Sequence, residues 1–104
     1  MQIYRTKTFR KHVKKLGVTE AEISALEEEI AANPTIGDVI AGLKGARKIR
    51  FAFGGKGKRG SGRVIYTLLL REDIAYLLVA YAKNEKSDLT QDDKDAIRKF
   101  IETL

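Results

Sequence analysis

The chain of 104 residues contains no cysteine, one histidine and one proline. Without cysteine there is no disulfide framework, no thiolate nucleophile and no zinc-ribbon ligand set, which fits a reducing compartment. The single histidine, His12, falls on a basic segment that reads as the first helix, away from the predicted strands, and so reads as a surface residue. Long apolar runs are also missing. The longest, around Leu68–Leu70, is far too short to span a bilayer, and Met1–Phe9 has no apolar stretch of signal-peptide length, so a cytoplasmic location with no membrane contact is expected. The most informative absence is of acid: the 33 residues between Asp38 and Glu72 hold no Asp or Glu. The same window holds nine of the twenty Lys and Arg, namely Lys44, Arg47, Lys48, Arg50, Lys56, Lys58, Arg59, Arg63 and Arg71. All fourteen carboxylates lie outside it, so the net charge of +6 understates how polarised the chain is. Cations gathered on one side suit a polyanion, because each one brought to a phosphate releases a condensed counterion. A solvated basic surface kept for solubility has the same composition.

What is present suffices for one folded domain over residues 1–104. A hydrophobic content of 43% with a single proline argues against a mainly disordered chain, and this length buries a core without metal or disulfide staples. Gln2–Arg5 is β-prone at Ile3 and Tyr4. Phe9, Val13 and Leu16 recur at helical spacing among Arg10, Lys11, Lys14 and Lys15, and Gly17 supplies a C-cap. Thr19 with Glu22 is a capping-box signature opening a second helix through Ile23, Leu26 and Ile30, stopped by Asn33-Pro34. Residues 36–45 read as a glycine-bearing connector. From Arg47 the period becomes two, with Ile49 and Phe51 on one face and Lys48 and Arg50 on the other. Residues 63–71 are almost continuously apolar, as in a central strand covered on both faces. Arg71-Glu72-Asp73 turns into a third strand over residues 74–83, and Thr90 with Asp93 caps a last helix through Ile97, Phe100, Ile101 and Leu104. The predicted order β-α-α-β-β-β-α is an α+β domain: an antiparallel meander with helices packed on it.

The loop Gly54-Gly55-Lys56-Gly57-Lys58-Arg59-Gly60 alternates glycine with cations, but no Gly-Lys pair is followed by Ser or Thr, and a strand follows it rather than a helix. Nucleoside triphosphate binding is therefore not expected, whereas close approach to a phosphate chain is. No carboxylate pair lies inside the basic window, which argues against a two-metal nuclease. Metal-free cleavage remains open for RNA, whose 2′-hydroxyl attacks the adjacent phosphate. The protein must then align the groups, move two protons and neutralise the transition state. Arginine clamps phosphate in a bidentate fashion, and a lysine held among like charges gives up its proton more readily. Strand pairing lets Lys48, Arg50, Arg63, Tyr81 and Lys83 converge, while Tyr66 and Tyr81 either stack an extruded base or fill core.

In order along the chain, Gly42-Leu43, Arg47-Lys48-Ile49-Arg50, the Gly55–Gly60 loop, Arg63-Val64-Ile65-Tyr66, Tyr81-Ala82-Lys83-Asn84-Glu85 and Asp88-Leu89-Thr90 resemble the RelE/HigB superfamily of bacterial type II toxin–antitoxin toxins, HigB-like branch. The resemblance implies an mRNA endoribonuclease acting in the ribosomal A site, inhibited by a cognate antitoxin and using no cofactor or metal. It implies catalytic roles for Lys48 and Arg50 at the scissile phosphate, for Arg63 at the transition state and for Lys83, with Tyr81, Lys83 or a loop lysine as the proton donor. Lys44, Arg47, Lys56, Lys58, Arg59 and Tyr66 complete the expected RNA- and ribosome-binding set. The chain departs from the family at Asn84 and Thr90, where relatives carry an arginine and a tyrosine. A non-catalytic RNA- or ribosome-binding module is the alternative; a double-stranded DNA binder is disfavoured, because no helix combines a basic face with base-reading side chains.

Overall fold

A computed structural model describes residues 1–54, 62–85 and 88–104. The order is β1 (Gln2–Arg5), α1 (Lys7–Leu16), α2 (Glu20–Ala32), β2 (Asp38–Val39), β3 (Arg47–Phe51), β4 (Gly62–Leu69), β5 (Ile74–Ala82) and α3 (Gln91–Glu102). The strands form one sheet in the order β1-β5-β4-β3-β2. The meander β3-β4-β5 is antiparallel as expected, and β1 lies parallel to β5, with Gln2 opposite Ile74 and Arg5 opposite Leu77. One element was not expected: β2 is a two-residue strand inside the 36–45 connector, pairing Asp38 with Lys48 and Val39 with Arg47. It is too short to carry a period. The central strand ends at Leu69, and Leu70–Glu72 form a single 3-10 turn closed by Asp73 at φ 58.

Local chemistry sets these boundaries. Thr6 caps α1 by accepting the Phe9 N–H (3.2 Å), and its hydroxyl donates to the Leu77 carbonyl at 2.8 Å, so one side chain starts the helix and fastens the β1–α1 corner to β5. Gly17, at φ 74, ends α1 in a left-handed cap. Thr19 and Glu22 form the expected capping box of α2, and Thr90 and Asp93 that of α3. Arg5 spans from β1 to α2, clamping Glu27 through Nε and Nη2, both at 2.8 Å, and reaching Glu20 through Nη1 at 2.8 Å. These bonds hold the Glu20 carboxyl below its ordinary range and raise the Arg5 guanidinium.

The core has two compartments separated by the sheet. Phe9, Val13, Ile23, Leu26 and Ile30 of α1 and α2 pack on Ile49, Phe51, Val64, Tyr66 and Leu77. On the other face Ile97 of α3, with Leu43, Ala46 and Leu89, packs on Ile65, Val79 and Tyr81. Helices thus cover both faces, which explains why β4 alternates apolar with apolar. Among the described residues no helix is long and apolar enough to cross a membrane.

Tyr66 corrects one expectation. It is completely buried, its hydroxyl donates to the Pro34 carbonyl (2.7 Å) and accepts the Gly37 N–H (2.9 Å), and its ring fills the first compartment. Gly37 has to be glycine for this packing, since a Cβ there would stand 2.8 Å from the Tyr66 ring. No face remains for a base. Tyr66→Phe keeps the ring and removes both bonds, leaving a buried N–H without a partner; it is expected to cost about 1–3 kcal/mol in urea unfolding and to leave RNA affinity unchanged. Burial also raises the Tyr66 pKa. A raised folded value means that the associated stability is present below the unfolded pKa of about 10 and is lost as pH rises through the folded value. The loss of stability in alkali should therefore be smaller in Tyr66→Phe.

Candidate active site

The register of three strands builds the site. Arg50 of β3 lies directly opposite Arg63 of β4, and Arg63 lies directly opposite Tyr81 of β5. Two pairs further along, Lys48 faces Ile65. Cross-strand partners share a face, so Lys48, Arg50, Arg63 and Tyr81 all project to one side of the sheet, with Lys83 just beyond the end of β5. Lys48, Arg50, Arg63 and Lys83 line one open cavity of about 560 Å³, together with Asp38 and Glu29. Four of the five expected catalytic residues therefore meet.

Arg63 is only 8% exposed, and its Nη1 donates to the neighbouring Gly62 carbonyl at 2.9 Å, which fixes the guanidinium. Like charges directly opposite each other destabilise a sheet. Here the exposed Arg50 faces the buried Arg63, and Lys48 and Lys83 share their cavity with Asp38 and Glu29. Glycine is required beside this arginine: the Phe51 ring lies where a Gly62 Cβ would be.

Tyr81, only 4% exposed, packs in the α3-side core, so of the two readings left open for its ring the structure has the core-filling one. Its pKa is raised, first by burial and then by Asp88 and Asp93, against the opposing effect of Arg63. A tyrosine shifted in this direction keeps its proton and acts as a hydrogen-bond donor, not as a base.

Other expected residues lie elsewhere. Arg47 shares the Tyr66 face, opposite to Lys48 and Arg50, and donates through Nη1 to the Gly37 carbonyl (2.7 Å) and the Thr35 carbonyl (3.2 Å). It holds the 35–37 segment in place. Lys44, at φ 54, approaches Glu102 at 3.5 Å beside α3 and does not line the cavity. Lys56, Lys58 and Arg59 lie outside the described residues.

Two features escaped the sequence reading. Asp38 and Glu29, both outside the acid-free window, place carboxylates in the same cavity as the cations. Asp38 bounds the acid-free window, and only its pairing with Lys48 shows which side it serves. His12 is not remote from the strands: α1 runs along β5, and the His12 Nδ1 accepts the Ala80 N–H at 3.1 Å. Among the described residues no group of three or more His, Asp and Glu side chains converges in the manner of a metal centre.

A family model described as the RelE toxin of the RelE / RelB toxin-antitoxin system matches residues 1–104. A solved structure of a mutant of the E. coli toxin RelE in the free state is similar, with a TM-score of 0.59, 12% identity and 96% of each chain covered. At that identity the likeness concerns the fold.

Replacing one member of the facing arginine pair separates cost from use. Arg50→Gln should raise stability by about 0.2–1 kcal/mol in urea unfolding while weakening binding to an RNA oligonucleotide. A variant destabilised by more than that would show that Arg50 is held by a structural partner instead.

Proposed function

Since the chain belongs to the RelE toxin family of toxin–antitoxin systems, we propose that it is an mRNA endoribonuclease that enters the ribosomal A site in the cytoplasm and cuts without a metal, through the RNA's own 2′-hydroxyl. The observation that carries this reading is the cavity at the ends of β3, β4 and β5, where Arg50 faces the buried Arg63 and Lys48 and Lys83 share the space. Four cations around one opening suit a phosphodiester that gains charge as it reacts.

In the proposed reaction the 2′-oxygen attacks the adjacent phosphorus and the bond from phosphorus to the 5′-oxygen breaks. The products are a 2′,3′-cyclic phosphate and a 5′-hydroxyl. Lys48 and Arg50 would hold the non-bridging oxygens. Arg63, already fixed by burial and by the Gly62 carbonyl, would neutralise the added charge without reorganising. The leaving 5′-oxygen needs a proton, and Tyr81, which keeps its own, and Lys83 at the cavity wall are the candidate donors. The 2′-hydroxyl must lose one, and the acceptor at hand is the Asp38 carboxylate, opposite Lys48 and on the same cavity. The antitoxin would inhibit by presenting carboxylates to these cations.

Arg63→Ala should fold, abolish growth arrest and slow cleavage of ribosome-bound mRNA by about 10²–10³-fold, as for loss of one transition-state donor. A folded variant that cuts at the parent rate would contradict the assignment, and a parent that binds programmed ribosomes without cutting would favour the non-catalytic module. Asp38→Asn tests the proposed proton acceptor: a loss of about 10²–10⁴-fold assigns the role to Asp38, and an unchanged rate removes it.

A further inference from the structure

Two side chains on the face opposite to Lys48 and Arg50 fix the segment that enters the cleavage cavity. Arg47 of β3 and Tyr66 of β4 are register partners, three residues along β3 from the facing pair Arg50 and Arg63. Tyr66 is fully buried, and its hydroxyl donates to the Pro34 carbonyl (2.7 Å) while accepting the Gly37 N–H (2.9 Å). Arg47 donates through Nη1 to the Gly37 carbonyl (2.7 Å) and the Thr35 carbonyl (3.2 Å). Both backbone polar groups of Gly37 are thus taken by side chains, and its neighbours in sequence, Ile36 and Asp38, both line the cavity. We infer that Arg47 and Tyr66 are positioning residues for the cleavage reaction, holding the Asp38 carboxylate where it takes the proton of the 2′-hydroxyl. The role rests on the reading of Asp38 as proton acceptor and adds to it the residues that set its place.

β2 does not hold Asp38 by itself. It is an exposed strand of two residues at the edge of the sheet, paired through Asp38–Lys48 and Val39–Arg47, and strands that short have little ladder to fix them. The bonds from Arg47 and Tyr66 supply what the ladder lacks. A phenylalanine would fill the core site of Tyr66 as well, so what the hydroxyl adds is its two bonds, and both go to the stretch just before Asp38. The fit is close: a Cβ on Gly37 would stand 2.8 Å from the Tyr66 ring and 3.0 Å from the Lys48 carbonyl oxygen, so the segment has no room to slide across β3. A proton acceptor has to stand within hydrogen-bond reach of the hydroxyl it serves, and supporting contacts of this kind keep such groups within about 0.5 Å of the productive geometry. Arg47 and Tyr66 belong to the same two strands as Arg50 and Arg63, so one register places the acceptor relative to the cations that would hold the phosphate.

The test is single-turnover cleavage of ribosome-bound mRNA by saturating full-length protein, for the parent, Asp38→Asn, Tyr66→Phe and Arg47→Met, and for the last two each combined with Asp38→Asn. Thermal unfolding checks that every variant is folded at the assay temperature, and because Tyr66→Phe and Arg47→Met probe the same segment from different strands, either one alone decides the matter. Each should slow the chemical step by about 10- to 100-fold and leave affinity for programmed ribosomes unchanged. Amide exchange over residues 34–38 should become faster in both. In the Asp38→Asn background neither should slow cleavage further, since a residue that acts through Asp38 has nothing left to position. A purely structural role predicts the same fold loss with and without Asp38. That result overturns the inference, as do variants that cut at the parent rate or leave exchange over the segment unchanged. The underlying reading fails in a different way. A parent that cuts as fast as Asp38→Asn removes Asp38 as acceptor, and the positioning role with it, but leaves the nuclease; a parent that never cuts removes the nuclease as well.

Discussion

The eight-residue strand β4 fixes nearly everything else, because β5 pairs with it along its whole length, β3 pairs with it from Gly62 to Tyr66, and both of its faces meet a core compartment. Val64 and Tyr66 face the α1–α2 compartment and Ile65 the α3 compartment, so a slip of one residue would exchange the two cores. The same register delivers Arg63 between Arg50 and Tyr81. The packing of two cores therefore sets two arginines opposite each other at the end of the strand.

Charge is distributed along the same logic. The cations of β3 and β4 gather where the sheet opens, whereas Glu20 and Glu27 of α2 are engaged by Arg5 on the far side of the chain's first strand. The carboxylates that do reach the cavity, Asp38 and Glu29, come from the edge strand β2 and from α2. Asp38 is the register partner of Lys48, and Arg50, Arg63 and Lys83 share the cavity with both carboxylates.

Much of this was legible in the sequence where local rules decide the outcome. Helix caps at Thr19 and Thr90, the left-handed stop at Gly17 and the two-residue period placing Lys48 and Arg50 opposite Ile49 all follow from neighbouring residues, and the structure has them. The ordered motifs pointed to the family that the full-length match then showed. Long-range pairing was the harder part. Nothing in Gln2–Arg5 says that it joins β5 in parallel, and the dipeptide Asp38-Val39 has no periodicity to read. The composition of the basic window did not distinguish its cations by role: Arg47 and Lys48 are adjacent, yet one props the 35–37 segment and the other faces the cavity. An aromatic residue in a strand carries the same ambiguity, and only the bonds from the Tyr66 hydroxyl to Pro34 and Gly37 resolve it as core.

The central claim is that the cations of β3, β4 and β5 drive an attack by the RNA's own 2′-hydroxyl, and the chemistry of the cut ends reports on it most directly. Ribosome-bound mRNA cleaved by the purified protein, analysed by mass spectrometry of the fragment termini, should carry a 2′,3′-cyclic phosphate, or the monophosphate formed by its hydrolysis, upstream of the cut and a 5′-hydroxyl downstream. Fragments ending in a 3′-hydroxyl and a 5′-phosphate would mean that water attacked the phosphorus, and would contradict the account.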